Sequence, residues 1–139
     1  MPATHFVSLH TRRYGIVLLA MALVAPALGF AQAAASKVEI IGYSHRPVQA
    51  ALKPLREWLA TQGAAVKLIE IDLDSPQAGE RIRALGVKGH FPVVVLINGQ
   101  FRHTLLGGRA VELVGLPAAG VQPAGKGWTL DDVKAVLAR

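Results

Sequence analysis

The spacing of apolar and polar positions changes several times along the chain, and each change marks an element. Lys37-Val38-Glu39-Ile40-Ile41-Gly42-Tyr43 is rich in β-branched residues and apolar on both faces near its end, which predicts a strand inside a sheet covered on both sides. From Pro47 the apolar residues Val48, Leu52, Leu55 and Leu59 recur at spacings of four, three and four, up to Gly63. This is one stripe of a helix, with proline at its start and glycine past its end. Pro54 lies inside it and cannot donate to the carbonyl of Ala50, so a kink is expected there. Val66 to Leu73 reads as a second buried strand. Asp74-Ser75-Pro76 then opens a short helix with Ser75 as N-cap and Pro76 at its first position, and Gly86 ends it.

Pro92 to Ile97 is an uninterrupted apolar run, followed by Asn98-Gly99 and the alternating segment Gln100 to Leu106. That pattern predicts a third and a fourth strand joined by a two-residue hairpin turn. Ala110 to Leu116 is a further short strand, and Pro117 to Gly127, rich in Gly, Pro and Ala, is a loop. Thr129-Leu130-Asp131-Asp132 caps a last helix whose apolar residues Leu130, Val133, Val136 and Leu137 share one face, with the two aspartates complementing its dipole. A strand and helix returning to a parallel second strand, followed by a second crossover into a hairpin, predict an α/β fold. Its mixed central sheet carries helices on both faces and has an extra strand before the last helix.

The N-terminal residues follow a different rule. Residues 1–35 contain no Asp or Glu, carry Arg12-Arg13, run apolar from Tyr14 through Leu28 and close on Ala31-Gln32-Ala33-Ala34-Ala35. This is the three-part pattern of a secretory signal peptide, with cleavage expected after Ala33 or, alternatively, after Ala35. The apolar stretch is broken by Pro26 and Gly29 and is shorter than the ~20 residues a spanning helix needs. The chain is therefore expected to divide into a cleaved signal peptide, residues 1–35, and one domain, residues 36–139, that works in the periplasm or is secreted.

Composition narrows the chemistry. The chain has 139 residues, enough for one domain with a core of its own, and 52% hydrophobic against 17% charged residues is too apolar for a disordered or coiled-coil chain. The net charge of +6 raises the question of nucleic acid, but the only adjacent basic pair is Arg12-Arg13 in the signal segment. Its removal leaves 13 basic and 9 acidic residues, and nucleic acid is not an expected partner of an exported domain. Cysteine is absent, which excludes disulfides, zinc–thiolate sites, thiol nucleophiles and a lipidated N-terminal cysteine.

A strand, the loop Tyr43-Ser44-His45-Arg46-Pro47, a helix carrying Pro54, and then Gly86-Val87-Lys88-Gly89-His90-Phe91-Pro92 leading into an apolar strand and Asn98-Gly99 together resemble a thioredoxin-like domain. The resemblance covers about residues 37–106 and the last helix. It implies a three-layer sandwich and a cis bond between Phe91 and Pro92. One extra residue separates Gly89 from Pro92, and residues 110–127 form an insertion. In such domains the redox centre is Cys-x-x-Cys at the start of the first helix, which here falls on Arg46 and Gln49 or on Ser44 and Pro47. Thiol–disulfide exchange needs a thiolate to attack and a second thiol to resolve, so that activity does not carry over.

What remains is an exported, non-redox module that binds a protein or peptide of the cell envelope, with acidic character favoured, at the vacated face. The candidate residues are Tyr43, Ser44, His45, Arg46, His90, Phe91, Pro92 and Arg109. The first helix would present free N–H groups beside Arg46, and the Gly107-Gly108 turn would return Arg109 to the same end, near Lys88. Backbone at His90 and Phe91 would pair with an extended segment while Phe91 supplied an apolar contact. Ser44 reads as a helix cap, or alternatively as a group activating glutathione. His45 and His90 could form a weak metal carrier, but two imidazoles without a carboxylate or thiolate are too few for a tight site. His103 reads as an exposed strand residue at the far end of the sheet. No catalytic residue, resident metal or cofactor is expected.

Overall fold

The computed structural model describes residues 34–118 and 127–139. All but the end of the expected signal peptide, and the middle of the 117–127 loop, lie outside the described residues. The order is β1 (Ser36–Gly42), α1 (Arg46–Thr61), a 3-10 turn (Gly63–Ala65), β2 (Val66–Asp72), α2 (Pro76–Leu85), β3 (Val93–Ile97), β4 (Arg102–Thr104), β5 (Ala110–Glu112) and α3 (Leu130–Leu137). β1 is the central strand of a three-stranded mixed sheet, parallel to β2 on one side and antiparallel to β3 on the other. The parallel pair requires a crossover, which α1 supplies.

The two-residue side-chain period of the strands sorts the core into two faces. Val38 and Ile40 of β1 and Val93, Val95 and Ile97 of β3 pack with Val48, Leu52, Leu55 and Leu59 of α1 and with Trp128 and Val133. Ile41, Val94 and Leu96 point the other way and pack with Ala78 of α2, Phe91 and Phe101. The protein is thus a mixed α/β fold with α1 and α3 on one face of the sheet and α2 on the other. All four residues of α1's predicted stripe are buried.

Local chemistry explains the helix ends. The Ser75 hydroxyl accepts the Ala78 N–H at 3.3 Å and Pro76 follows as the first residue of α2. Gly86 ends that helix at φ 67°, a conformation that favours glycine. Thr129 and Asp132 form a reciprocal capping box at α3, each side chain accepting the other's backbone N–H, at 3.2 and 2.8 Å.

Three expectations change. β2 is an edge strand with Lys67, Leu68, Glu70 and Asp72 exposed, not a buried one; its open edge is lined by charges of both signs, which discourage further pairing. Asn98 (φ 51°) and Gly99 (φ 82°) make the expected two-residue turn, but pairing between the arms stops at the Ile97–Gln100 bridge. β4 then pairs with β5 instead, and the chain returns to β3 through Val95 N–H to Leu113 O and Gly115 N–H to Val93 O, both 2.8 Å. The position beside β3 is covered by core, so it suits fully buried Leu113 better than exposed Arg102 and Thr104. Finally, the Phe91–Pro92 bond is trans, not cis. Trans is the ordinary state of a bond before proline, favoured by about 0.5–1 kcal/mol, and the Pro92 carbonyl accepts the Tyr43 N–H at 3.1 Å in that state.

Candidate functional site

The Tyr43–Pro92 hydrogen bond joins the β1–α1 loop to the segment entering β3. Close approach is possible because position 42 is glycine: a Cβ there would lie 3.1 Å from Val93 Cγ2. Gln49 of α1 donates its side-chain amide to Tyr43 O at 2.9 Å, and its backbone N–H to His45 O at 3.0 Å begins the helical ladder. The Tyr43 and His45 rings stack, with centroids 5.2 Å apart and planes 27° from parallel. Ser44, His45, Arg46, Lys88 and His90 are exposed. The structure therefore brings Tyr43, Ser44, His45, Arg46 and Pro92 to one end of the sheet, with His90 two residues from Pro92.

Ser44 does not cap α1. The N-cap is His45, whose side chain makes no capping bond, while the Ser44 hydroxyl donates to Asp72 at the end of β2. That bond, with the Asp74 N–H at 3.0 Å, holds the Asp72 carboxyl below its ordinary pKa, and the nearby His45 acts in the same direction. A small polar recess of about 170 Å³ lies beside this pair, bounded also by Gln49 and by the ion pair of Arg56 with Glu70.

Two candidates are displaced. Phe91 is buried in the core cluster with Ile41, Ala78 and Val94, so it does not present the apolar contact expected for a ligand. Arg109 does not join Arg46. It pairs with Asp132 at the start of α3 and lines a separate cleft of about 710 Å³, whose walls include none of Tyr43, Ser44, His45, Arg46, His90, Phe91 or Pro92. Asp132 is buried at 4% exposure, so the pair ties the turn after β4 to α3. Sequence reasoning missed this cleft; its one local signal was Leu105-Leu106 ahead of Gly107-Gly108.

His103 is half-buried on β4, not exposed, with Nε2 donating to Gln100 O at 3.0 Å. Burial holds its imidazole below the ordinary pKa, Arg139 adds to that shift, and the Gln100 carbonyl opposes it. Among the described residues no three His, Asp or Glu side chains are grouped to hold a metal ion, and no helix is long and apolar enough to cross a membrane. The chain finds no match among family models, curated proteins or solved structures. The remaining reading rests on its own geometry.

Proposed function

We propose that residues 36–139 form a thioredoxin-like, cysteine-free domain, exported by the segment before it, that binds a protein or peptide of the cell envelope through the β1–α1 loop and the residues entering β3. The observation that carries this reading is the meeting of those two segments at the Tyr43–Pro92 hydrogen bond, beside the first turn of α1. Support for the fold comes from the strand order β2-β1-β3, from residues 113–115 running antiparallel to β3, and from the helices on both faces. The trans Phe91–Pro92 bond and the β4–β5 excursion are departures from the resemblance.

Charge sets the partner's character. Arg46 is exposed in the first turn of α1 and Lys88 is exposed four residues before Pro92, while the adjacent Asp72 carboxylate, held ionised by the Ser44 hydroxyl, sets one negative charge beside them. An acidic, extended segment complements that surface. With no cysteine in the chain, the contact involves no disulfide. The test is recovery of partners from envelope extract by the wild type, by the double variant Arg46→Ala/His90→Ala, and by Lys67→Ala on the edge of β2. A partner retained by the wild type and Lys67→Ala but reduced about fivefold or more by the double variant fits the reading. Equal recovery by all three contradicts it.

A further inference from the structure

We propose that Asn98-Gly99 is a site of spontaneous deamidation that the folded turn suppresses, so that loss of the Asn98 side-chain amide marks chains in which the turn after β3 has opened. The pair lies at the opposite end of β3 from Pro92, and its chemistry does not depend on the loop face described above. Asn98 is the chain's only asparagine, and glycine follows it. Asparagine is a thermolabile residue, and a following glycine puts no side chain in the way of its own nitrogen. The surroundings are open as well: Asn98 is exposed, and a Cβ placed on Gly99 would meet no atom within 4 Å. Water therefore reaches the pair.

The reaction needs water alone. Water or hydroxide takes the Gly99 amide proton, and the nitrogen bonds to the side-chain carbonyl carbon of Asn98. The bond from that carbon to the side-chain nitrogen breaks, and ammonia leaves with a proton from solvent. A five-membered succinimide remains. Water then adds to one of its two carbonyls and opens the ring, giving aspartate by attack at the side-chain carbonyl and isoaspartate by attack at the main-chain carbonyl. The second product carries an extra methylene in the main chain, so it lengthens the turn.

The fold opposes the first step in two ways. Ring closure needs the Asn98 Cβ and the Gly99 nitrogen on one side of the Cα–C bond. The φ values of 51° at Asn98 and 82° at Gly99 are those of a type I′ turn, whose first central residue holds these two atoms on opposite sides. The side-chain carbonyl that must be attacked also accepts the Lys37 N–H at 2.9 Å, and the Asn98 N–H donates to Lys37 O at 2.7 Å. Side chain and backbone are thereby tied to β1. Ile97 N–H to Gln100 O at 2.8 Å and Gln100 N–H to Ile97 O at 3.1 Å close the turn behind them. Cyclisation waits for these bonds to part, and its rate reports how often they do.

The test incubates the full chain at mildly alkaline pH, folded and in unfolding guanidinium chloride, beside a synthetic peptide of residues 95–101 as the unstructured reference. The tryptic peptide of residues 89–102 is then separated into its asparagine, aspartate and isoaspartate forms and identified by mass spectrometry. The expected result is deamidation at Asn98 at least about tenfold slower in the folded chain than in the peptide, with guanidinium bringing the chain within about twofold of the peptide. Asn98→Gln should abolish the change over the same period, which separates it from loss at Gln100 in the same tryptic peptide. Equal rates in the folded chain and the reference peptide overturn the proposal. So does a chain that stays slow in guanidinium, or a mass gain that persists in Asn98→Gln.

Discussion

Glu39, on the central strand β1, is 4% exposed and receives Arg81 of α2 at 2.7 Å and Lys37 at 2.8 Å. Burial alone would raise its pKa, but the hydrogen bonds and charges of Lys37 and Arg81 outweigh it and hold the carboxyl below its usual 4.5. Because the folded value is the lower one, the stability this carboxylate adds is present above about pH 4.5 and is lost as pH falls through the folded value. Arg81→Ala should therefore destabilise the protein by about 2 kcal/mol at pH 7 and by less at pH 3. Urea unfolding at the two pH values checks this; an equal loss at both would contradict it.

The Arg109–Asp132 pair predicts energetic coupling between the turn after β4 and α3. Thr129→Ala should cost about 1 kcal/mol by removing a cap. Asp132→Ala should cost more, because it removes the other half of the capping box and leaves Arg109 without its partner. A double-mutant cycle of Arg109→Ala and Asp132→Ala should show about 1–3 kcal/mol of coupling by denaturant unfolding, where additive losses would mean that the pair is idle.

Asn98 sits at φ 51°, accepts the Lys37 N–H at 2.9 Å through its side chain, and donates its own N–H to Lys37 O at 2.7 Å. Asn98→Ala places a less tolerant residue in the left-handed region and removes the side-chain bond, so a loss of about 1–2 kcal/mol is expected. Asn98→Gly keeps the backbone and loses only the bond, and should be the milder change. Thermal unfolding of both variants orders them.

The sequence conveyed what local backbone chemistry decides. Ser75-Pro76, Gly86, Asn98-Gly99 and the Thr129–Asp132 box were legible because each acts within four residues of backbone. The stripe of α1 was legible because its period survives in any amphipathic helix. What failed depended on distant neighbours. Val66 to Asp72 reads the same whether a strand lies in the centre or at the edge, and only the strand order decides. Ser44 has the chemistry of a cap, but Asp72, 28 residues away, takes its hydroxyl. The pairing of Arg109 with Asp132 across 23 residues and the trans state of Phe91–Pro92 likewise carry no local signal. At the candidate site, the loops were found from sequence, whereas the burial of Phe91 and the cleft beside Leu106 were not.

The export proposal makes its own prediction. Mass spectrometry of the protein from envelope fractions should find a mature N-terminus at Ala34 or Ser36. Either leaves β1 complete, since that strand starts at Ser36 and its Lys37 anchors Asn98. An intact residue 1 in the mature protein would contradict cleavage.

The most direct measurement of the central claim is site-specific photo-crosslinking in cells that make the full chain. The crosslinker is placed in turn at Arg46, at His90 and, as a control, at Lys67 on the edge of β2; all three are exposed, so the fold is preserved. The account predicts adducts of one defined mass from Arg46 and from His90 and none of that mass from Lys67. No adduct from either loop position, or the same adduct from all three, would contradict binding at the face where Tyr43 meets Pro92.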